Sequence, residues 1–441
     1  MVQKEVSQQK AAVLGLQHLL AMYSGAVAVP LLIGSALKFN AEQMTYLVSI
    51  DIFMCGLATL LQLVRNKYFG IGFPVILGCA IQAVAPLQMI GQKFSINDMY
   101  GAIIVAGIFV ILISGLFAKI KKFFPPVVTG TLITTIGLTL IPVAIQNMGG
   151  GDATAKNFGS GQNLFLAFCT MFIILALEIW TKGFLRSISV LIGLIAGTII
   201  ASLMGMGLVS FQPVIDASWF HLPQLFYFGI PKFEWSSSLT MIIIALVSMI
   251  ESTGVFFATG DLLGHNITED DLKKGYRAEG LAQIFGGLFN AFPYTTFSQN
   301  VGLLQLSGIK TKRPIYWAAG LLMAMGLLPK IGALVTIIPT PVLGGAMLVM
   351  FTMIAVQGIK TLTKVDLSDN NNILIIAISV GLGLGVTIYP QFFKNLPATV
   401  QLFLSNGIVI TSLSATILNL LLKGGEKRQH TTTKTQTANI S

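Results

Sequence analysis

From Val13 to the neighbourhood of Leu422 the chain is a succession of apolar runs, each long enough to cross a bilayer and separated by short polar connections. This constrains the fold more than anything else, because a spanning backbone must satisfy its own N–H and C=O groups. With 54% hydrophobic and 10% charged residues and a mean hydropathy of +0.80, the composition is far from that of a soluble globular chain. The expected fold is an all-α polytopic membrane protein. The connections leave no room for a separate soluble domain, and no cleavable leader is expected. Cys55, Cys79 and Cys169 all lie inside apolar runs, where they are expected as small apolar fillers rather than as a disulfide framework or a zinc site.

The runs resolve into fourteen expected spans, with cores near 13–34, 44–64, 69–90, 100–118, 127–146, 162–180, 187–208, 239–260, 278–292, 296–308, 315–329, 333–357, 371–389 and 400–422. Charge checks the count. With a cytoplasmic N-terminus, every Lys and Arg except Lys38, Lys93, Lys156, Lys232, Lys330 and Lys394 falls on the cytoplasmic side, as the positive-inside rule asks. An even number of spans with both ends inside follows. The net charge of +10 is explained by basic loops facing an anionic leaflet and calls for no nucleic-acid partner.

The two halves carry matching features. FPPVVTG, ending at Gly130, resembles IPTPVLGG, ending at Gly345, and upstream of each lies a Phe-Pro in an apolar run, Phe73-Pro74 and Phe292-Pro293. Residues 1–208 and 209–423 are therefore read as two repeats, followed by a polar tail, 424–441. An odd number of spans per half, seven, means tandem copies are inverted in the bilayer. The third and tenth spans then occupy equivalent places. Both hold Pro, small residues and a β-prone run, Val75-Ile76 and Tyr294 to Phe297, so short strands followed by half-helices are expected there. Two proline-kinked helices are the plainer alternative. In FNAFPYTTFSQNVGLLQLSG, residues 289–308, polar side chains crowd a stretch whose backbone cannot be a regular helix. In membranes such backbone is tolerated only when buried in protein or lining a cavity.

Four carboxylates fall within spans, and a carboxylate at membrane depth is a functional candidate by default. Glu251, in ESTG, is the first choice for a substrate contact, since an ionised group there needs a partner such as a substrate N–H. A bond to a neighbouring helix is the structural alternative. Glu279 is read as a proton carrier or as site support, and Asp51 as part of a packing or relay network. Glu178, near a span end, can snorkel and is given no role. His18, preceded by Gln17, is the histidine inside a span and is read as site support or a protonation sensor. Gln299 offers a donor and an acceptor from one planar amide, matching the C=O/N–H edge of a purine or pyrimidine. Asn300 is expected to hold the local backbone or the Glu279 region, and Phe297 and Tyr294 could stack on a flat ring.

QNVGLLQLSG at 299–308 resembles the signature of the nucleobase/ascorbate transporter family, [Q/E/P]-N-x-G-x-x-x-x-T, with Ser307 at the place of the Thr. The resemblance extends over nearly the whole chain: the Gln17-His18 pair, ESTG at Glu251 to Gly254, Glu279-Gly280 and the PxxTTFxQNxG run. It implies a core and a gate domain built from two inverted seven-span repeats, proton-coupled nucleobase uptake, no resident cofactor and often a homodimer. It assigns substrate binding to Glu251 and Gln299, helped by backbone around Ala80, Ile81, Phe297 and Ser298. It assigns coupling and support to Glu279, Asn300 and His18. In that family Gln at the first signature position goes with xanthine and urate, and Glu with uracil. The His that uracil members tend to carry four residues after the ESTG glutamate is replaced here by Val255. ESTGVFFATGDL looks most like the Gram-positive bacterial xanthine permeases, which implies a cell-membrane location. Between Phe292 and Ser307 no basic residue appears, which disfavours an anion exchanger or channel of the same architecture. No nucleophile-base pair or metal cluster at membrane depth suggests an enzyme, and no phosphate loop suggests an ATPase.

Overall fold

The computed structural model describes residues 6–120, 125–205, 209–397, 400–401 and 404–438. In chain order the elements are α1 (Gln8–Ala36), α2 (Ala41–Leu63), β1 (Leu77–Cys79), α3 (Val84–Lys93), α4 (Ile96–Ile120), α5 (Pro126–Met148), α6 (Gly161–Trp180), α7 (Phe184–Ser187), α8 (Ser189–Leu203) and α9 (Gln212–Asp216). There follow α10 (Trp235–Leu263), α11 (Glu269–Leu288), β2 (Tyr294–Thr296), α12 (Gln299–Ser307), α13 (Arg313–Gly326), α14 (Pro329–Thr336), α15 (Thr340–Leu362), α16 (Asn370–Ile388) and α17 (Gly407–Ala438).

Eight of these helices are long and apolar enough to cross a membrane, or nine if α13 and α14, bent by 81° at their junction, are taken as one span. The chain is a multi-pass membrane protein, and helix length with apolarity yields a smaller number than fourteen. The differences have local causes. The expected eleventh and twelfth spans, 315–329 and 333–357, are recut by Pro329 and by the Pro339 break, which set off α14 as a short separate helix. The expected ninth span, 278–292, is the later part of α11, which starts earlier on a capping box between Thr268 and Asp271 and carries Glu269, Asp270 and Asp271 in its first turn.

Two compact units make up the chain. In the unit made of Met1–Ala118 and Ile141–Met350, α2 is buried along most of its length, starting from a reciprocal Asn40/Gln43 capping box. Helices α4 and α11 approach closely at Gly107 and Gly280, where a Cβ on Gly280 would lie 2.8 Å from the Gly107 carbonyl oxygen. Small residues at such a crossing let backbones touch, which gives Gly280 a packing role beside Glu279. A further apolar cluster joins Leu166, Ile174 and Leu194 to Val342, Ala346 and Val349. In the unit made of Lys119–Leu140 and Phe351–Ser441, α16 packs on α17, with Thr411 Oγ1 donating to the Ser379 carbonyl at 3.2 Å. Exposed side chains such as Leu112, Phe172, Ile179 and Leu203 supply the apolar exterior that lipid requires.

The third and tenth expected spans are broken by two short strands. β1 and β2 pair antiparallel in the register Leu77↔Thr296, Gly78↔Thr295 and Cys79↔Tyr294. Strand β1 starts just beyond the Val75-Ile76 run expected to form it, while β2 falls within its own run. Hydrogen bonds from Ala80 N–H to Pro293 C=O, 2.8 Å, and from Phe297 N–H to Ile76 C=O, 2.9 Å, extend the ladder at both ends. A two-stranded ribbon still leaves outward-facing N–H groups, and in an apolar setting each needs a partner. Thr59 Oγ1 on α2 accepts from Leu77 N–H at 3.0 Å, and Ser252 Oγ on α10 accepts from Thr296 N–H at 3.2 Å. Short half-helices follow both strands: a 3₁₀ turn at Ile81–Ala83 leads into α3, and α12 begins at Gln299.

Candidate substrate-binding site

Around the strand pair the broken backbone meets α10, α11 and α1. Ser248, Glu251 and Ser252 occupy one face of α10, because residues three and four apart on a helix are neighbours. Gln82, just past β1, donates from Nε2 to Glu251 Oε2 at 3.0 Å and to Ser248 Oγ at 2.8 Å. Both amide protons are thereby used. Gln82 is buried and Glu251 half-buried, so the carboxylate is oriented by a neighbouring amide and retains further accepting capacity. Besides Thr296 N–H, Ser252 meets the Thr295 hydroxyl at 3.1 Å.

Glu279, on α11, is 1% exposed and accepts from Thr296 Oγ1 at 2.7 Å. The second strand is thus tied by side chains to both α10 and α11. On α1, the ring of buried His18 meets Asn300 Nδ2 through Nδ1 at 3.1 Å, and the same amide donates to the His18 carbonyl at 3.0 Å. This corrects the expectation that Asn300 serves the local backbone or Glu279: it fastens α12 to α1. Its Oδ1 is buried without a hydrogen-bond partner among the described residues. Gln17 is half-buried and enters none of the described side-chain hydrogen bonds.

Asp51, on α2, is fully buried and accepts from Tyr294 O–H at 3.0 Å and from Cys79 Sγ at 2.5 Å. Tyr294 is therefore a buried anchor of β2 and not a ring free to stack on a ligand. Cys79 is a hydrogen-bond donor to Asp51, not an inert filler; Asp51, Cys55 and Cys79 bring their ligating atoms within 4.8 Å of one another. Phe297 remains half-buried. Its ring fits only because residue 78 is glycine: a Cβ there would lie 2.5 Å from Cζ, and one on Gly25 of α1 would lie 3.2 Å from Cε2. Of the expected backbone contributors, Ala80 is buried, Ile81 half-buried and Ser298 exposed. The side chain of Gln299 lies outside the described residues; its backbone opens α12. Glu178 is held by Arg186 Nε at 2.8 Å and Ser189 Oγ at 2.7 Å, a local pairing away from the strands.

The structure thus gathers Glu251, Glu279, Ala80, Ile81, Phe297 and Ser298 at the strand pair and joins His18 to Asn300. Sequence reasoning missed Gln82, Ser248, Thr59 and the hydroxyls of Ser252, Thr295 and Thr296 as bonded partners. The available signal was the i, i+3, i+4 spacing of Ser248, Glu251 and Ser252. Outside the spans, Arg65 Nη2 meets Asp271 Oδ1 at 2.6 Å, and His265 Nε2 lies 3.0 Å from Oδ2. Burial opposes ionisation of Asp271, but hydrogen bonds from Thr268 N–H, His265 and the Thr268 hydroxyl, with the Arg65 charge, outweigh it and hold the carboxyl at about 2, below the ordinary 3.8.

A family model described as "Permease family" matches residues 9–392. The chain is 55% identical over 412 residues, 93% of each sequence, to the xanthine permease of Bacillus subtilis. It is 54% identical over 406 residues, 92% of this chain and 94% of the relative, to the uric acid permease PucK of the same organism. The transmembrane domain of the cyanobacterial bicarbonate transporter BicA shares the fold, with a TM-score of 0.59 and 17% identity, over 94% of this chain and 98% of that one.

Proposed function

Because this chain belongs to the nucleobase/ascorbate transporter family, we propose that it is a proton-coupled symporter importing xanthine by alternating access, with uric acid or a broader purine range as the alternative. The observation that carries the proposal is Glu251, a half-buried carboxylate held by Gln82 beside paired strands that interrupt a membrane protein. A carboxylate so placed has accepting capacity to offer the N–H groups of a flat heterocycle. Relatives named for xanthine and for uric acid stand at 55% and 54% identity, which supports the purine class and leaves the order of the two to experiment. Xanthine is put first on Gln299 and Val255.

In this reading Glu251 and Gln299 clamp the purine edge, with backbone near Ala80, Ile81, Phe297 and Ser298 against it. Glu279, His18 and Asn300, supported by Asp51 and Gln17, handle coupling and hold the site. The proton is the coupling ion and no cofactor is needed. Residues 1–208 and 209–423 form the two inverted repeats. The antiparallel pairing of one strand from each supports this, since inverted copies place equivalent segments head to head. The protein sits in a bacterial plasma membrane, with both termini placed in the cytoplasm on the charge distribution of its loops, and a homodimer is the assembly the family resemblance implies. The likeness to a bicarbonate transporter concerns the fold, and the lack of a basic residue between Phe292 and Ser307 argues against an exchanger or channel for small inorganic anions.

The test is uptake of labelled xanthine with and without a protonophore, competed by uric acid, hypoxanthine, guanine and uracil. Uptake that survives collapse of the proton gradient removes the symport mechanism; uptake that no purine competes removes the substrate class.

A further inference from the structure

Gln82 has a chemistry that its support of Glu251 does not exhaust. Its two N–H bonds go to Glu251 Oε2 and Ser248 Oγ, which fixes the amide plane and leaves the carbonyl oxygen as its remaining polar atom. That oxygen accepts no hydrogen bond from the described residues, although the side chain is only 2% exposed. A buried carbonyl is ordinarily bonded, and with Gln82 2% exposed Oε1 is not fully enclosed, so it keeps a small accessible surface of its own. Gln82 also follows Ala80 and Ile81, where the chain leaves strand β1 and turns into α3.

We propose that Gln82 is a specificity-determining residue whose carbonyl oxygen and the Glu251 carboxylate form an adjacent pair of acceptors that read two neighbouring N–H donors on the substrate. This rests on the purine-transport reading above and deepens it. Two acceptors side by side require two donors side by side. In the 9H form of xanthine, and in uric acid while it is neutral, N3–H and N9–H flank one ring-fusion carbon with no carbonyl between them. Hypoxanthine has no hydrogen on N3 in its usual forms, so the same edge would set a lone pair against an acceptor. A site built to accept from an N–H discriminates strongly against a ligand lacking it, because a buried polar group is then left unpaired.

The experiment measures competition against labelled xanthine uptake by xanthine, uric acid, hypoxanthine and 1-, 3- and 9-methylxanthine. It uses the full-length wild type and the apolar, similarly sized Gln82→Met variant, at matched membrane abundance. In the wild type, 3- and 9-methylation should each weaken competition about tenfold or more while 1-methylation is tolerated within about threefold. In Gln82→Met, xanthine should weaken about tenfold. The penalty at whichever of the two nitrogens Gln82 reads should vanish and the penalty at the other persist; where that nitrogen is N3, hypoxanthine should lose less than xanthine does, because the acceptor facing its N3 lone pair is gone. Equal wild-type penalties at all three methylation positions overturn the proposal. So does a variant that weakens every competitor by one common factor, the mark of a residue that only positions Glu251. Should Gln82→Met fail to reach the membrane, Gln82→Asn, with its carbonyl drawn back, must show the same selective loss, and its absence overturns the proposal. A wild type that transports no purine sinks the functional reading itself, an outcome distinct from a purine transporter indifferent to N3 and N9.

Discussion

Replacing Glu251 by Gln separates what this side chain does for the fold from what it does for a ligand. The two side chains have the same shape, so packing on α10 is unchanged. The bond from Gln82 Nε2, now 3.0 Å from Oε2, can be kept by turning the new amide so that its carbonyl oxygen faces Gln82. The fold should therefore survive. Toward the ligand the exchange is severe, because the other half of the group becomes an N–H donor set against a substrate N–H. Losing a hydrogen bond to a charged acceptor is worth about 1.5–3 kcal/mol, roughly ten- to 150-fold in affinity, and the unpaired donor adds to it. The assay is labelled xanthine uptake in cells without purine uptake of their own, with immunoblots of the membrane fraction, followed by ligand-induced thermal shift of the purified protein. Normal abundance, abolished uptake and a lost shift are expected. A Glu251→Gln protein with xanthine affinity within about twofold of wild type would refute the assignment, since even the weakest charged hydrogen bond exceeds that.

Three further substitutions probe the scaffold. Gly78→Ala sets a methyl group 2.5 Å from Phe297 Cζ, and because the next ring atoms lie at 2.7 and 2.8 Å the ring must move. Reduced uptake at normal abundance is expected, and wild-type KM and maximal rate would show that ring position is immaterial. Thr296→Val removes the donor 2.7 Å from buried Glu279 and should lower stability in detergent by about 1.5–3 kcal/mol, while Thr296→Ser keeps the donor and most of the stability. A loss in Thr296→Ser with none in Thr296→Val, which keeps the methyl group, would mean that the methyl group, not the hydrogen bond, matters. Asp271→Asn should lower Tm at pH 7. With the native carboxyl held at about 2 against an ordinary 3.8, its stabilisation is fully present above the ordinary value and is lost as pH falls from there through 2. The Tm gap between wild type and Asp271→Asn should stay level from pH 7 to 5 and narrow only below about 4; a gap that closes by pH 6 would assign the effect to another group.

The features legible in the sequence were those that local composition controls. Apolar runs announced the spans, and proline with β-prone residues announced strands at two places, one of them displaced to Leu77–Cys79. Carboxylates at membrane depth announced Glu251, Glu279 and Asp51. Hydropathy averaged over a window cannot see an 81° bend, which is why residues 313–336 read as parts of two spans when they form two short helices. Pairing distant in sequence was equally hidden: nothing near Asn300 points to His18, and nothing near Tyr294 points to Asp51.

The polar residues at membrane depth become interpretable once backbone demand is subtracted. Thr59 and Ser252 exist to satisfy outward N–H groups of a two-stranded ribbon that has no further strands. Asp51 has a donor on each oxygen, from Tyr294 and Cys79. These groups are polar because the ribbon is there, and they leave little for a ligand. Glu251 and Gln82 differ, since the bond between them leaves accepting capacity on both. A buried polar group not fully used by the fold is costly to keep, and a substrate donor is the partner that would relieve that cost. By that reasoning the ribbon explains much of the buried polarity around it, and among what it leaves unexplained are two adjacent side chains at the point where the chain leaves β1.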